Sequence, residues 1–111
     1  MDISESKDGE VMTVALKGRL DAGSSKIVED RLLRLIDAGE KRLALDLAAM
    51  DYISSVGLRV LMVVAKRVKP IGGRVVVCCL QDSIKQVFEI AGFGSIFNTF
   101  GSRHEALGAL R

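Results

Sequence analysis

Apolar residues recur along the chain at two periods, and the changes from one period to the other mark out its elements. Val11-Met12-Thr13-Val14-Ala15-Leu16 is β-rich and partly alternating, and it follows Lys7-Asp8-Gly9-Glu10, whose Asp-Gly pair signals a hairpin turn. The opening therefore predicts two strands, with Gly18-Arg19-Leu20-Asp21-Ala22-Gly23 as a loop behind them. Val28, Leu32, Leu35 and Ile36 then repeat at helical spacing, opposite Glu29, Asp30, Arg34 and Asp37. Ser24 or Ser25 can cap that helix, and Gly39 closes it. Leu43 to Ala49 reads as a short strand of the kind buried on both faces in a parallel sheet. After Asp51-Tyr52-Ile53-Ser54-Ser55 a second helix is expected, with Leu58, Leu61, Met62, Ala65 and Val68 inward. Pro70-Ile71-Gly72-Gly73 ends it.

Arg74 to Leu80 is the clearest strand. Ser83-Ile84-Lys85-Gln86 has capping-box spacing and opens a third helix with Ile84, Val87, Phe88 and Ala91 inward. Ser95 to Phe100 can form a last strand. A second box, Ser102 to Glu105, starts a C-terminal helix with Ala106, Leu107 and Leu110 inward. Repeated strand–helix–strand units require right-handed crossovers. The expected fold class is α/β: a single domain over residues 1–111, with a mostly parallel central sheet of about five strands, an N-terminal hairpin and about four helices.

Composition narrows the picture. The 111 residues suffice for one core and not for two. Hydrophobic residues are 49% of the chain but aromatics only 5%, so the core is expected to be aliphatic. Sixteen basic against fourteen acidic residues leave a net charge of +2, without the imbalance that a nucleic-acid partner calls for. The N-terminus is acidic and polar where a signal peptide would be basic and then apolar. Val60 to Ala65 is far short of the ~20 apolar residues of a membrane span. A cytoplasmic protein with no membrane insertion is expected. As neighbours in a strand, Cys78 and Cys79 should point to opposite faces and act as small buried hydrophobes.

Catalytic chemistry finds little support. His104 is the one histidine, and the turn at Ser55 lacks the first glycine of a nucleophile elbow. No phosphate loop occurs, and Gly92-Phe93-Gly94 reads as a helix stop. Asp21, Asp46 and Asp51 are scattered singly, as solvated loop acids are. No enzyme activity, cofactor or metal is expected. The segment Asp51 to Leu58 stands apart because it joins a buried strand to a helix N-terminus, whose free N–H groups and partial positive charge favour an anion. Phosphate on a serine in that first turn would be well stabilised. Two serines followed by Gly57 exceed what one cap needs, and small residues there keep the surface open to close backbone approach by something else.

At these residues the chain resembles the anti-sigma factor antagonists, the bacterial STAS-domain family. Gly18-Arg19-Leu20-Asp21 is similar to the family's turn before the first helix. Leu45-Asp46-Leu47 with Tyr52-Ile53-Ser54-Ser55-Val56-Gly57-Leu58 is similar to its strand and phosphorylation loop. Gly72-Gly73-Arg74-Val75-Val76-Val77 and Val87-Phe88-Glu89-Ile90-Ala91-Gly92 are similar to its later strand and helix. The resemblance implies partner switching: the unphosphorylated protein binds an anti-sigma factor or related ATP-dependent serine kinase, phosphorylation releases it, and a PP2C-type phosphatase restores binding. It places the phosphate on Ser55, with Ser54 as the alternative acceptor, and the partner contact on Asp21, Ser54, Ser55, Val56, Gly57 and Leu58. Ser54 and Val56 depart from the family's best-known form, which has Asp before the acceptor and Ser or Thr after it. The family also includes cytoplasmic parts of anion transporters and subunits of lipid-transport complexes, which gives a second implied role as a ligand- or partner-binding module. A chain beginning at its own Met1 weighs against the transporter part.

Overall fold

The computed structural model describes residues Met1–Arg111. Two strands open it, β1 (Asp2–Asp8) and β2 (Val11–Leu20), followed by helix α1 (Ser25–Asp37), strands β3 (Arg42–Asp46) and β4 (Met50–Ile53), and helix α2 (Ser55–Val68). Strand β5 (Arg74–Cys78), helix α3 (Asp82–Ile90), strand β6 (Asn98–Phe100) and helix α4 (Arg103–Leu110) complete it. Short 3-10 turns follow α2 at Lys69–Ile71 and α3 at Phe93–Ser95. The strands form one six-stranded sheet in the order β1-β2-β3-β5-β6, with β4 pairing the far end of β2. Only β1 runs antiparallel. The α/β architecture, the hairpin, the parallel sheet and the four helices follow the sequence pattern.

Period-two alternation sorts the central strands between two cores. Leu43 and Leu45 of β3, with Val75 and Val77 of β5, face the larger one. There they meet Val28, Leu32 and Ile36 of α1, Val60, Leu61 and Val64 of α2, and Ile84 and Phe88 of α3. Ala44, Val76 and Cys78 face the other way, onto Ala106 and Leu110 of α4. Both faces are thus covered, as a parallel sheet requires. Phe88, Phe93 and Phe97 cluster with ring centroids 5.2–6.2 Å apart. The large core is therefore not wholly aliphatic, because three of the four phenylalanines converge in it.

Several local expectations are corrected. Gly18, Arg19 and Leu20 are strand, not loop: they extend β2 to receive β4, a strand that the sequence pattern does not predict. The buried stripe of α2 is turned, so Val60 and Val64 are inward while Leu58 and Met62 are only half-buried. Ala91 is exposed, and Ser83 lies inside α3 because Gln81 takes the cap position without a side-chain bond. The second capping box forms as read, with Ser102 Oγ accepting from the Glu105 N–H at 3.1 Å. Arg42–Asp46 ends β3 three residues before the expected Ala49, and β6 begins at Asn98 where Ser95 was expected.

The cysteine reading also changes. β5 stops at Cys78, and Cys79 takes a left-handed φ of 65°, which is unusual for a residue with a Cβ. The two side chains do not diverge across the sheet: both Sγ atoms and a carboxylate oxygen of Asp46 lie within 4.8 Å of one another. Burial pushes the Cys78 thiol up to about 12, with the Cys79 hydrogen bond and the nearby Asp46 charge adding to the effect. Asp46 is not a solvated loop acid either. Its side chain is only 12% exposed and accepts two bonds from Arg103 of α4, at 2.7 and 3.0 Å.

Leu45 is fully buried among residues of α1, α2 and the neighbouring strands. Leu45→Ala should lower the unfolding free energy by about 2–5 kcal/mol, read from a urea titration with an unchanged slope.

Candidate functional site

The extension of β2 sets the geometry at the start of α2. Leu20 pairs with Ile53, and the Leu20 carbonyl accepts the Ser54 N–H at 2.9 Å. The chain then turns into the helix over Leu20 itself. A Cβ on Gly57 would stand 2.6 Å from the Leu20 carbonyl oxygen and 2.8 Å from Leu20 Cγ. Glycine is required here for seating the helix. The close approach anticipated from the sequence is that of the protein's own strand, and Gly57 is buried.

Ser54 occupies the N-cap in an extended conformation, and its Oγ accepts the Gly57 N–H at 3.1 Å. Ser55 is the first helical residue and is exposed. The two serines therefore divide the work: one hydroxyl is held by the helix it caps, and the next faces solvent. Val56 is 44% exposed and Tyr52 41%, so two apolar side chains bracket the serines. Leu58 is half-buried and packs against the large core. No acidic side chain lies in the first turn of α2, so the turn itself does not neutralise its partial positive charge.

Asp21 follows directly on Leu20, and so lies beside Ser54 at the level of the backbone. Its Oδ1 accepts the Gly23 N–H at 3.0 Å, an Asx turn leading into α1. Ser24, expected as a helix cap, donates from Oγ to the Arg19 carbonyl at 2.7 Å and accepts the Asp21 N–H at 3.1 Å. Ser24 caps nothing through its side chain. The carboxylate of Asp21 stays 37% exposed, with the Arg19 Nε 3.6 Å away.

Sequence reasoning missed two residues at this face. The Arg19 guanidinium carbon stands 4.0 Å from the centre of the Tyr52 ring, a cation–π contact between register partners of β2 and β4. With β4 unrecognised, nothing in the sequence paired them. Arg59 was noticed only as part of a wet helix face. With Val56, Val60 and Val63 of α2 and Ser25, Lys26 and Glu29 of α1, it lines an open groove of about 410 Å³. His104 and Asp51 are exposed.

The chain has relatives in sequence and in fold. A STAS domain profile matches residues 3–106. BtrV of Bordetella bronchiseptica, described as a candidate anti-sigma factor antagonist, is 38% identical over 111 residues, covering 100% of this chain and 96% of BtrV. A candidate anti-sigma factor antagonist from Thermotoga maritima has the same fold, with a TM-score of 0.94 at 15% identity over 98% of this chain and 94% of that one. The Bacillus cell fate determinant SpoIIAA, solved in a phosphorylated form, superposes with a TM-score of 0.77 at 16% identity, over 99% of this chain and 100% of that one.

Gly57→Ala should destabilise the fold by about 1–3 kcal/mol through overpacking against Leu20, seen as a lowered Tm. Ser54→Ala should cost about 1 kcal/mol through loss of the cap, seen in the same measurement.

Proposed function

The chain belongs to the STAS domain family, and from that premise we propose that it is an anti-sigma factor antagonist whose partner binding is switched by phosphate on Ser55. The observation that carries the choice of acceptor is the division between the two serines. Ser54 Oγ is engaged with the Gly57 N–H, while Ser55 is exposed one residue further on. A kinase can reach the second hydroxyl without uncapping the helix.

The contact surface is the face around that hydroxyl: Asp21, Ser54, Ser55 and Val56, with the exposed Tyr52 beside them. Gly57 belongs to it as the residue that lets α2 sit close to β2, and Leu58 contributes from beneath. The partner is an anti-sigma factor or related ATP-dependent serine kinase that binds the unphosphorylated form. A PP2C-type phosphatase removes the phosphate and restores binding. The role is regulatory, with no catalytic activity in this chain. The setting is the cytoplasm, and no helix is long and apolar enough to cross a membrane.

Phosphate brings about −1.5 to −2 charges and three acceptor oxygens to the centre of this face. Isolated, it is tolerated by the start of α2, whose first turn holds no acidic residue of its own. Under a docked partner it must shed its water among Val56 and Tyr52, and a desolvated charge without a matched cation is costly. A hundredfold loss of affinity requires only about 2.8 kcal/mol. The switch can therefore work by surface charge alone, with the backbone unmoved.

Incubation with ATP and the cognate kinase should add the mass of one phosphate. Ser55→Ala should abolish that gain and Ser54→Ala should keep it; the reverse result would move the acceptor to Ser54. Ser55→Asp carries less charge than phosphate and should weaken partner binding by about tenfold in a titration, with Tm nearly unchanged. An affinity equal to that of the unmodified protein would sink the electrostatic account.

A further inference from the structure

We propose that Asp46, Cys78 and Cys79 form a site for one thiophilic divalent cation of the zinc class, at the carboxyl ends of β3 and β5. Asp46 and Cys78 are register partners on these parallel strands, so the sheet itself places the carboxylate beside the first thiol. The second thiol is brought in by the left-handed backbone of Cys79. Non-glycine residues in that conformation are uncommon and cluster at ligand clamps and functional turns. The Cys79 N–H is anchored to the Phe100 carbonyl at 3.0 Å, and the Cys78 carbonyl accepts the Leu47 N–H at 3.1 Å. The frame around the three groups is thus tied on both sides.

The spacing suits an ion better than a bond between the sulfurs. Tetrahedral zinc with Zn–S near 2.3 Å holds two sulfurs about 3.8 Å apart. The two Sγ atoms and the Asp46 oxygen already lie within 4.8 Å of one another, so closing on an ion takes shifts of about 1 Å or less. A disulfide is disfavoured, because adjacent Cα atoms across a trans peptide are ~3.8 Å apart and unstrained disulfides need at least about 4.4 Å.

Asp46 also has capacity to spare. Arg103 Nε and Nη2 donate to Oδ2, and the Ala48 N–H donates to Oδ1 at 3.0 Å. A carboxylate offers about four acceptor positions, which leaves one open on Oδ1. Two thiolates, one carboxylate and a divalent ion carry a net charge of −1, and the Arg103 guanidinium balances it in place, as outer hydrogen-bond partners do in metal sites. On binding, each thiol gives up its proton to water as its sulfur takes the metal. Cys79 and Asp46 are partly exposed, so an ion has a way in and water can fill the fourth position.

The test is a titration of the full chain with cadmium as a spectroscopic substitute for zinc. One equivalent should raise the ultraviolet thiolate-to-cadmium charge-transfer band with the intensity of two thiolates per ion. Cys79→Ser, at a half-buried position, should lose that intensity, and Asp46→Asn should weaken zinc binding by roughly tenfold or more in calorimetry. Zinc should also slow alkylation of Cys79 in the unaltered chain, which decides the matter if a variant fails to fold. Absence of the band, its persistence in Cys79→Ser, or alkylation indifferent to zinc would overturn the site.

Discussion

The face at the start of α2 depends on one contact that has no room in it, between Gly57 and the end of β2. The Leu20 carbonyl lies where any larger residue at 57 would place its Cβ, and the same carbonyl takes the Ser54 N–H. Together they fix where α2 begins and which way its first turn faces. Ser54 is then committed to the cap, Ser55 turns outward, and Tyr52 and Val56 are left flanking it. A glycine that costs helix propensity in its own right is retained by the packing it permits.

How far the sequence could be read depended on the range of the contact involved. The helices and the central strands are visible because Val28, Leu32 and Ile36, or Leu43 and Leu45, carry their own periodicity to the large core. Strand β4 is not visible, since Asp51 and Tyr52 are both exposed and only Met50 and Ile53 are buried, a pattern with no alternation in it. With it went the extension of β2, the pairing of Arg19 with Tyr52, and the true reason for Gly57. The candidate acceptor itself was legible from its place before a helix. The cap that separates Ser54 from Ser55 needed coordinates.

Cys78 and Cys79 show the same limit from another side. Strict alternation would have sent them to opposite faces, but alternation holds only while the chain stays extended. The backbone leaves that region at Cys79, and its side chain joins Cys78 and Asp46 at the same end of the sheet. Arg103, far away in sequence, closes over the carboxylate. The small core beneath α4 thereby gains a polar margin that no local pattern announces.

Strand β1 carries a different consequence. It lies at the margin of the sheet, and all of its residues but Ile3 are exposed. Asp2, Glu5, Lys7 and Asp8 punctuate it; Glu5 pairs with Arg31, Lys7 with Glu40 and Asp8 with Arg111. Another strand adding there would have to strip water from this row and disturb those pairs. The hairpin thus guards against fibril-like growth.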